Sequence, residues 1–404
     1  MKKSFLVAGP LPPPWGGASV SFLIFLRHLE KRYGRPRPVG ELTAEPTAGP
    51  SAEPTAGPTA GPTAGRSWEF LDLRWRRRSQ ESLASFSGMK KNLFCLARIV
   101  SRALRYDHVL LFGSQRWVSC FAAPLAAFLP LFGVSVSIRV FGGAYEPYWQ
   151  SLPWISRLSL RFCLNRAHSI VFQTQALRDY FQGHLSTSVE FIPNYREKTR
   201  HGAAGEIRSA FGEESASASG EESCFRFLYV GFIRPQKGIV EMLKAFDRLR
   251  KRGLSSCRLV LVGPVFQEEF QGLGPGDYSR EDGVFIKGEL SHREVLDELE
   301  KADVLLYPSY WEREGMPGII LEAAFAWLAV ISTRWSAIPE MIEDGENGLL
   351  VEAGSVEELE QAMERLLKDE KLRETMARKN WERALAYEGK EVCPRLCRAM
   401  GLED

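Results

Sequence analysis

Hydrophobic residues in this chain come in short solid runs. Each run ends in a glycine- or proline-bearing turn, and apolar positions spaced three and four apart follow. Residues 4–8 (SFLVA) form the first run and lead into a Pro/Gly loop from Pro10 to Gly17. Val20, Leu23 and Ile24 then follow the i, i+3, i+4 spacing of a helix over 18–33, with Phe22 and Phe25 widening the apolar face and Leu26 and Leu29 further along, stopped by Gly34. HVLLFGS (108–114), VSIRVFGG (136–143), HSIVFQT (168–174) and VEFIPN (189–194) read as further strands. Residues 117–134 are quite apolar, but Pro124 and Pro130 interrupt them and they fall short of the ~20 residues a membrane span needs. They predict a buried helix pair.

The second half is more regular. FRFLYVGF (225–232), RLVLVGP (258–264), VFIKG (284–288), DVLLYPS (303–309) and AVIST (329–333) are strand-like. Helices are expected over 239–252, with Val240, Leu243, Phe246 and Leu249 on one face, and over 315–327. Ser291 with Glu294, and Ser355 with Glu358, have the spacing of capping boxes that open two more. Strands alternating with helices imply parallel sheets. The fold class predicted is α/β, with two tandem doubly wound, Rossmann-like domains over 1–200 and 225–385. The small, polar stretch 201–224 links them.

Residues 43–65 (TAEPTAGPSAEPTAGPTAGPTAG) break the pattern with a four-residue repeat that lacks large apolar side chains. Burial there cannot offset the entropy of ordering, so a disordered loop insertion is expected.

Charge changes the picture more than composition does. Of 404 residues, 45% are hydrophobic and 25% charged, as in ordinary globular proteins. Yet residues 1–200 carry 26 Lys+Arg against 12 Asp+Glu, a net of +14, and the remainder carries 26 against 38, a net of −12. The basic half suits anionic surfaces. Arg76–Arg78 precede a stretch, 89–106, that sets Lys90, Lys91, Arg98, Arg102 and Arg105 against Leu93, Phe94, Leu96, Ile99, Val100 and Leu104. This reads either as a domain-surface helix or as a contact of residues 76–105 with an anionic membrane. No RNA-binding motif accompanies the charge, so a nucleic-acid partner is not expected. Seven scattered Cys, none in a CxxC pair, read as reduced thiols with no metal site.

Candidate chemistry gathers in two loops. In YPSYWEREGMPGIILEA (307–323), Glu314 follows a strand and Glu322 sits in the next helix, roughly 10–12 Å further along at 1.5 Å rise per residue. Glu322 lies between Leu321 and Ala323, where an unpaired carboxylate is costly. Amides near Gly315, Met316 and Gly318 would point between the acids and favour phosphate. A nucleotide-diphosphate sugar, with hydroxylated rings at each end and phosphates between, has that layout. Glycoside hydrolysis fits less well, because its carboxylates flank one bond within ~5–9.5 Å. In GFIRPQKG (231–238), Arg234 and Lys237 sit in a turn between Gly231 and Gly238, at the carboxyl end of a strand where open α/β sheets bind ligands.

With these residues in place, the second half resembles a family 4 glycosyltransferase, of the two-Rossmann-domain GT-B class. The likeness runs through VGFIRPQKG (230–238), RLVLVG (258–263), FIKGELSHREVL (285–296), ADVLLYPS (302–309), the Glu314/Glu322 pair and IPEMIEDGENGLLVEAGSVEEL (338–359). The first half shares GPLPPPWGGASVSFL (9–23), IRVFGG (138–143) and IPN (192–194). The resemblance implies metal-independent transfer of a sugar from a nucleotide-diphosphate donor, with retained anomeric configuration and no cofactor. Glu314 would face the donor sugar, Glu322 the ribose, and Arg234 and Lys237 the diphosphate. Gly16 and Gly17 would line the opposite side of the cleft, near the phosphates and acceptor. The last segment, 386–404, would cross back to the first domain. A lipid-linked or glycan acceptor is implied, with the protein in the cytoplasm or peripheral on the inner face of the cell membrane. Phe232, Gly142, Gly143, Trp327 and Ala329 stand where the family commonly has Arg, His and a G-x-P. They motivate a second reading, a non-catalytic member that binds a sugar nucleotide or acts as a scaffold.

Overall fold

A computed structural model of the chain describes residues 4–9, 17–36, 67–72, 96–97, 99–198 and 224–403. The repeat over 43–65, Gly16, most of 76–105 and the linker up to 223 lie outside the described residues.

The solid apolar runs become two six-stranded parallel sheets. The first has the order β2 (Trp68–Asp72), β1 (Phe5–Gly9), β3 (His108–Ser114), β4 (Ser135–Phe141), β5 (Ser169–Phe172) and β6 (Ser188–Phe191). Its strands are covered on both sides. Phe5 and Val7 join one core cluster and Leu6 and Ala8 another, which is why the sequence shows runs rather than alternation. Helix α1 (Gly17–Tyr33) packs on the Phe5 face. So does the last helix of the chain, Gly389–Ala399, whose Val392, Cys393, Leu396 and Cys397 are fully buried there.

The expected buried helix pair over 117–134 is instead one continuous helical run. Gln115–Trp117 leads into a π-helical stretch, Val118–Ala122, then α2 (Ala123–Phe128) and a 3₁₀ turn, Leu129–Phe132. Pro124 and Pro130 fall where the run changes its hydrogen-bond period, just after the π-helical stretch and in the 3₁₀ turn. The run does not end in the core, for Phe128, Leu131 and Phe132 are exposed. Helix α3 (Trp154–Leu164) lies against α2.

The second sheet has the order β12 (Leu349–Val351), β11 (Ala329–Thr333), β10 (Val304–Tyr307), β7 (Phe225–Val230), β8 (Cys257–Val262) and β9 (Val284–Gly288). Strand order therefore reverses between β7 and β10, which pair in parallel through Val304 with Phe227 and Leu305 with Leu228. Such a switch point opens a crevice beyond the carboxyl ends of the two strands. Helix α4 (Ile239–Lys251) follows β7, and α5 (His292–Glu300) follows β9 with both capping-box bonds of Ser291 and Glu294 present. The helix foreseen over 315–327 is shorter, α6 (Gly318–Phe325), because Pro317 sets its start. At Ser355 the hydroxyl caps Glu358 N, while the Glu358 carboxylate turns to Glu352 N instead of closing the box.

Candidate active site

Both strands at the switch point deliver their loops to one place. The 231–238 turn follows β7, and the 308–317 loop follows β10. They are locked together at Gly238, whose φ of +73° suits glycine and where a Cβ would meet the Pro308 carbonyl oxygen at 2.2 Å. The lock brings Lys237 to Glu314. Lys237 Nζ donates to Glu314 Oε2 at 2.5 Å and to the Tyr307 hydroxyl at 3.2 Å. Tyr307 OH donates to the same carboxylate oxygen at 3.0 Å, and Ser309 Oγ at 2.7 Å. Three donors on one oxygen fix the carboxylate in place. Lys237 and Glu314 are each only 8% exposed, so each charge depends on the other. Burial, with the Glu314 charge beside it, pushes the Tyr307 hydroxyl well above its usual range. Tyr307 stays neutral and acts as a donor.

Arg234 is held differently. Its guanidinium carbon lies 3.7 Å from the centroid of Phe266 and 5.1 Å from that of Trp311, and Nη2 pairs with Glu269 at 3.3 Å. Lys237 Nζ lies 5.5 Å from the same Trp311 ring. The two cations therefore share an aromatic neighbour, though only Lys237 reaches Glu314. Gly231 turns the chain at the end of β7, and its neighbour Phe232 is half exposed.

The first domain closes over these loops. Gly143 N donates to the Arg313 carbonyl at 3.5 Å, and a Cβ at Gly143 would lie 1.8 Å from the Glu314 carbonyl oxygen. No residue but glycine fits there, which gives Gly143 a steric reason in place of the His the resemblance leads one to expect. Gln173, itself bonded by Gly142 N, packs beside Gly315. Asn194 donates from Nδ2 to the Met316 carbonyl at 3.0 Å and from its backbone N to the Met316 sulfur at 3.2 Å. The Glu340 carboxylate accepts from Gln175 N at 3.0 Å, at the start of the helix Gln175–Gln182, where a negative charge is favourable.

Glu322 does have a partner, and it comes from the other domain. Arg196 Nε donates to Glu322 Oε1 at 2.5 Å, and Nη1 donates to Ser21 Oγ and the Tyr195 carbonyl, both at 2.8 Å. Arg196 is 3% exposed and lies so close over Gly318 that a Cβ there would overlap its guanidinium. A cation over a helix N-terminus is electrostatically poor unless a carboxylate compensates, and Glu322, one turn along, does so. Gly315, Met316, Gly318 and Glu322 thus face the first domain, as does the Glu314 carbonyl, while the Glu314 carboxylate turns to Lys237, Tyr307 and Ser309 of its own domain. Gly17 begins α1, the helix that carries Ser21.

Sequence reading pointed to Glu314, Lys237 and Glu322 but not to Arg196, Asn194, Gln173, Ser309 or Trp311. The apolar setting of Glu322 was the signal that a partner must exist. Trp327 takes a positive φ of 60° and stacks on Trp381 at 5.0 Å, beyond the opposite end of α6 from Gly318. Among the described residues no group of three or more His, Cys, Asp or Glu is placed to hold a metal. No helix among them is long and apolar enough to cross a membrane.

Residues 213–383 match the family model described as Glycosyl transferases group 1. Over 285 residues, 66% of this chain and 71% of the relative, the chain is 23% identical to alpha-D-kanosaminyltransferase of Streptomyces kanamyceticus. It is 27% identical over 151 residues to the capsular polysaccharide biosynthesis glycosyltransferase CapM of Staphylococcus aureus, 37% of this chain and 38% of the relative. The crystal structure of Anabaena HepE in complex with UDP is similar over 100% of both chains, with a TM-score of 0.66 at 16% identity. The fold is the GT-B arrangement of two α/β domains. The matched domain and the enzymes that share it support a glycosyl-transferring enzyme, EC 2.4.

Proposed function

We propose that the chain transfers a sugar from a nucleotide-diphosphate donor held at the β7/β10 switch point, with retention at the anomeric carbon. The observation that carries this reading is the convergence of buried Lys237 and Glu314 at the switch point, with Glu322 on the helix that follows, one turn beyond Gly318. The donor diphosphate would take over part of the Lys237 charge and approach Arg234. As the bond from the anomeric carbon to phosphate breaks, negative charge grows on the phosphate, and a fixed cation stabilises it without reorganising. Glu314, immobilised by Tyr307 and Ser309, would orient the sugar ring. The ribose hydroxyls would reach Glu322 by displacing Arg196, wholly or in part. The acceptor hydroxyl would come from the first-domain side, past Gly16 and Gly17. No metal or cofactor is required in this scheme, because Lys237 and Arg234 supply the cations. The acceptor fits a lipid-linked or polysaccharide chain, as the CapM relative's name suggests for that protein.

A panel of nucleotide sugars, scored by released nucleoside diphosphate, tests the reading. At least one donor should be consumed, with turnover unchanged by EDTA and lost in Lys237→Ala and Glu322→Ala. Normal turnover in both variants would remove the site from the reaction.

A further inference from the structure

Helix α3 is apolar on two sides. Leu160 and Leu164 are buried in the first domain's core beside α2. A helix that is hydrophobic all round normally has its other side covered as well. Here Trp154, Ile155, Leu158 and Phe162 project outward and are 73%, 62%, 59% and 57% exposed. The end of the neighbouring helical run adds Phe128, Leu131 and Phe132, and the Phe128 and Phe132 rings lie 5.0 Å apart. Large apolar side chains exposed together on one helix face mark an interaction site.

The charge around it selects the partner. Neither α2 with its 3₁₀ extension nor α3 contains an acidic residue. Arg161 and Arg166 are exposed, and the Arg166 guanidinium lies 4.5 Å from the Phe162 ring centroid. Arginine on the rim of a Trp- and Phe-bearing apolar ridge suits a surface whose apolar interior begins just beneath a layer of anions. We propose that this face docks the protein onto an anionic lipid bilayer, with the side chains of α3 and the Leu131–Phe132 tip entering the headgroup region. At Phe128 this surface borders Leu96, Ala97, Val100 and Ser101, which line one cavity with it. It rests on none of the residues assigned to the donor, so it stands whether or not sugar transfer does.

Flotation of the full chain with vesicles tests it, using phosphatidylcholine alone and phosphatidylcholine with about 30% phosphatidylglycerol. The wild type should float with the anionic vesicles. The exposed triple variant Ile155→Ser/Leu158→Ser/Phe162→Ser should lose about tenfold or more in partitioning. Its donor hydrolysis and melting temperature should stay unchanged, which excludes misfolding. Arg161→Gln/Arg166→Gln should abolish the preference for anionic vesicles. Failure of the wild type to float, or equal flotation of the triple variant, would overturn the proposal. So would a wild-type dimer in sedimentation that the triple variant dissociates without any vesicle binding, since the face would then belong to a second copy.

Discussion

Arg196 Nε and Glu322 Oε1 stand 2.5 Å apart across the boundary between the two domains, with both side chains buried. The pair joins the segment after β6 to α6, and through Ser21 it reaches α1. Removing either partner strands the other as a buried charge, a loss of about 3–5 kcal/mol. Arg196→Ala and Glu322→Ala should each lower stability by about that amount in chemical denaturation, and Arg196→Leu/Glu322→Leu should cost clearly less than the sum. Additive losses would show that the two charges act independently.

A second prediction concerns Gly143. An added methyl would overlap the Glu314 carbonyl oxygen, so Gly143→Ala must push the first domain away from the 313–315 loop. Displacing a catalytic group by about 1 Å can cost 100-fold in rate. We expect kcat/KM for donor turnover to fall by about that factor while the melting temperature changes little. Turnover at the wild-type level would mean that the domains separate freely at this point.

How much of this was legible in the sequence follows from distance along the chain. Glu314, Lys237 and the strand-loop-helix units around them are local features, and short-range pattern shows them. That the two loops follow parallel strands is also readable, because solid apolar runs imply such strands, but the strand order that makes β7 and β10 neighbours is not. Arg196 lies 126 residues from Glu322, and nothing in its own neighbourhood distinguishes it. Only the burial of Glu322 hinted at its need. Gly143 looked like a missing His, and its steric role depends on a loop 171 residues away. The exposed α3 face was hidden for the opposite reason. Apolar periodicity marks a residue as fit for burial but does not say whether the fold covers it.

The pH dependence of stability should carry the signature of Glu298. Burial alone would raise its pKa, but hydrogen bonds from Lys287 and Lys301 outweigh that and hold the carboxyl below its usual range. Arg226 adds a third cation at 3.3 Å. A depressed folded-state pKa means stability is present above the unfolded value of about 4.3 and is lost as pH falls through the folded one. Glu298→Gln should therefore melt lower than wild type at pH 7, with the gap closing as the pH drops below about 4. A gap of constant size would show that the carboxyl's charge contributes nothing.

Titration calorimetry of nucleoside diphosphates into the full chain addresses the donor site most directly. The wild type should bind at least one of them, and both Lys237→Met and Glu322→Gln should weaken that binding by about tenfold or more. Arg196→Ala should leave it intact or tighten it, because Glu322 would then be free to accept from the ribose hydroxyls in the proposed scheme. Undiminished affinity in Lys237→Met and Glu322→Gln, both folded by circular dichroism, would contradict a donor held between these residues.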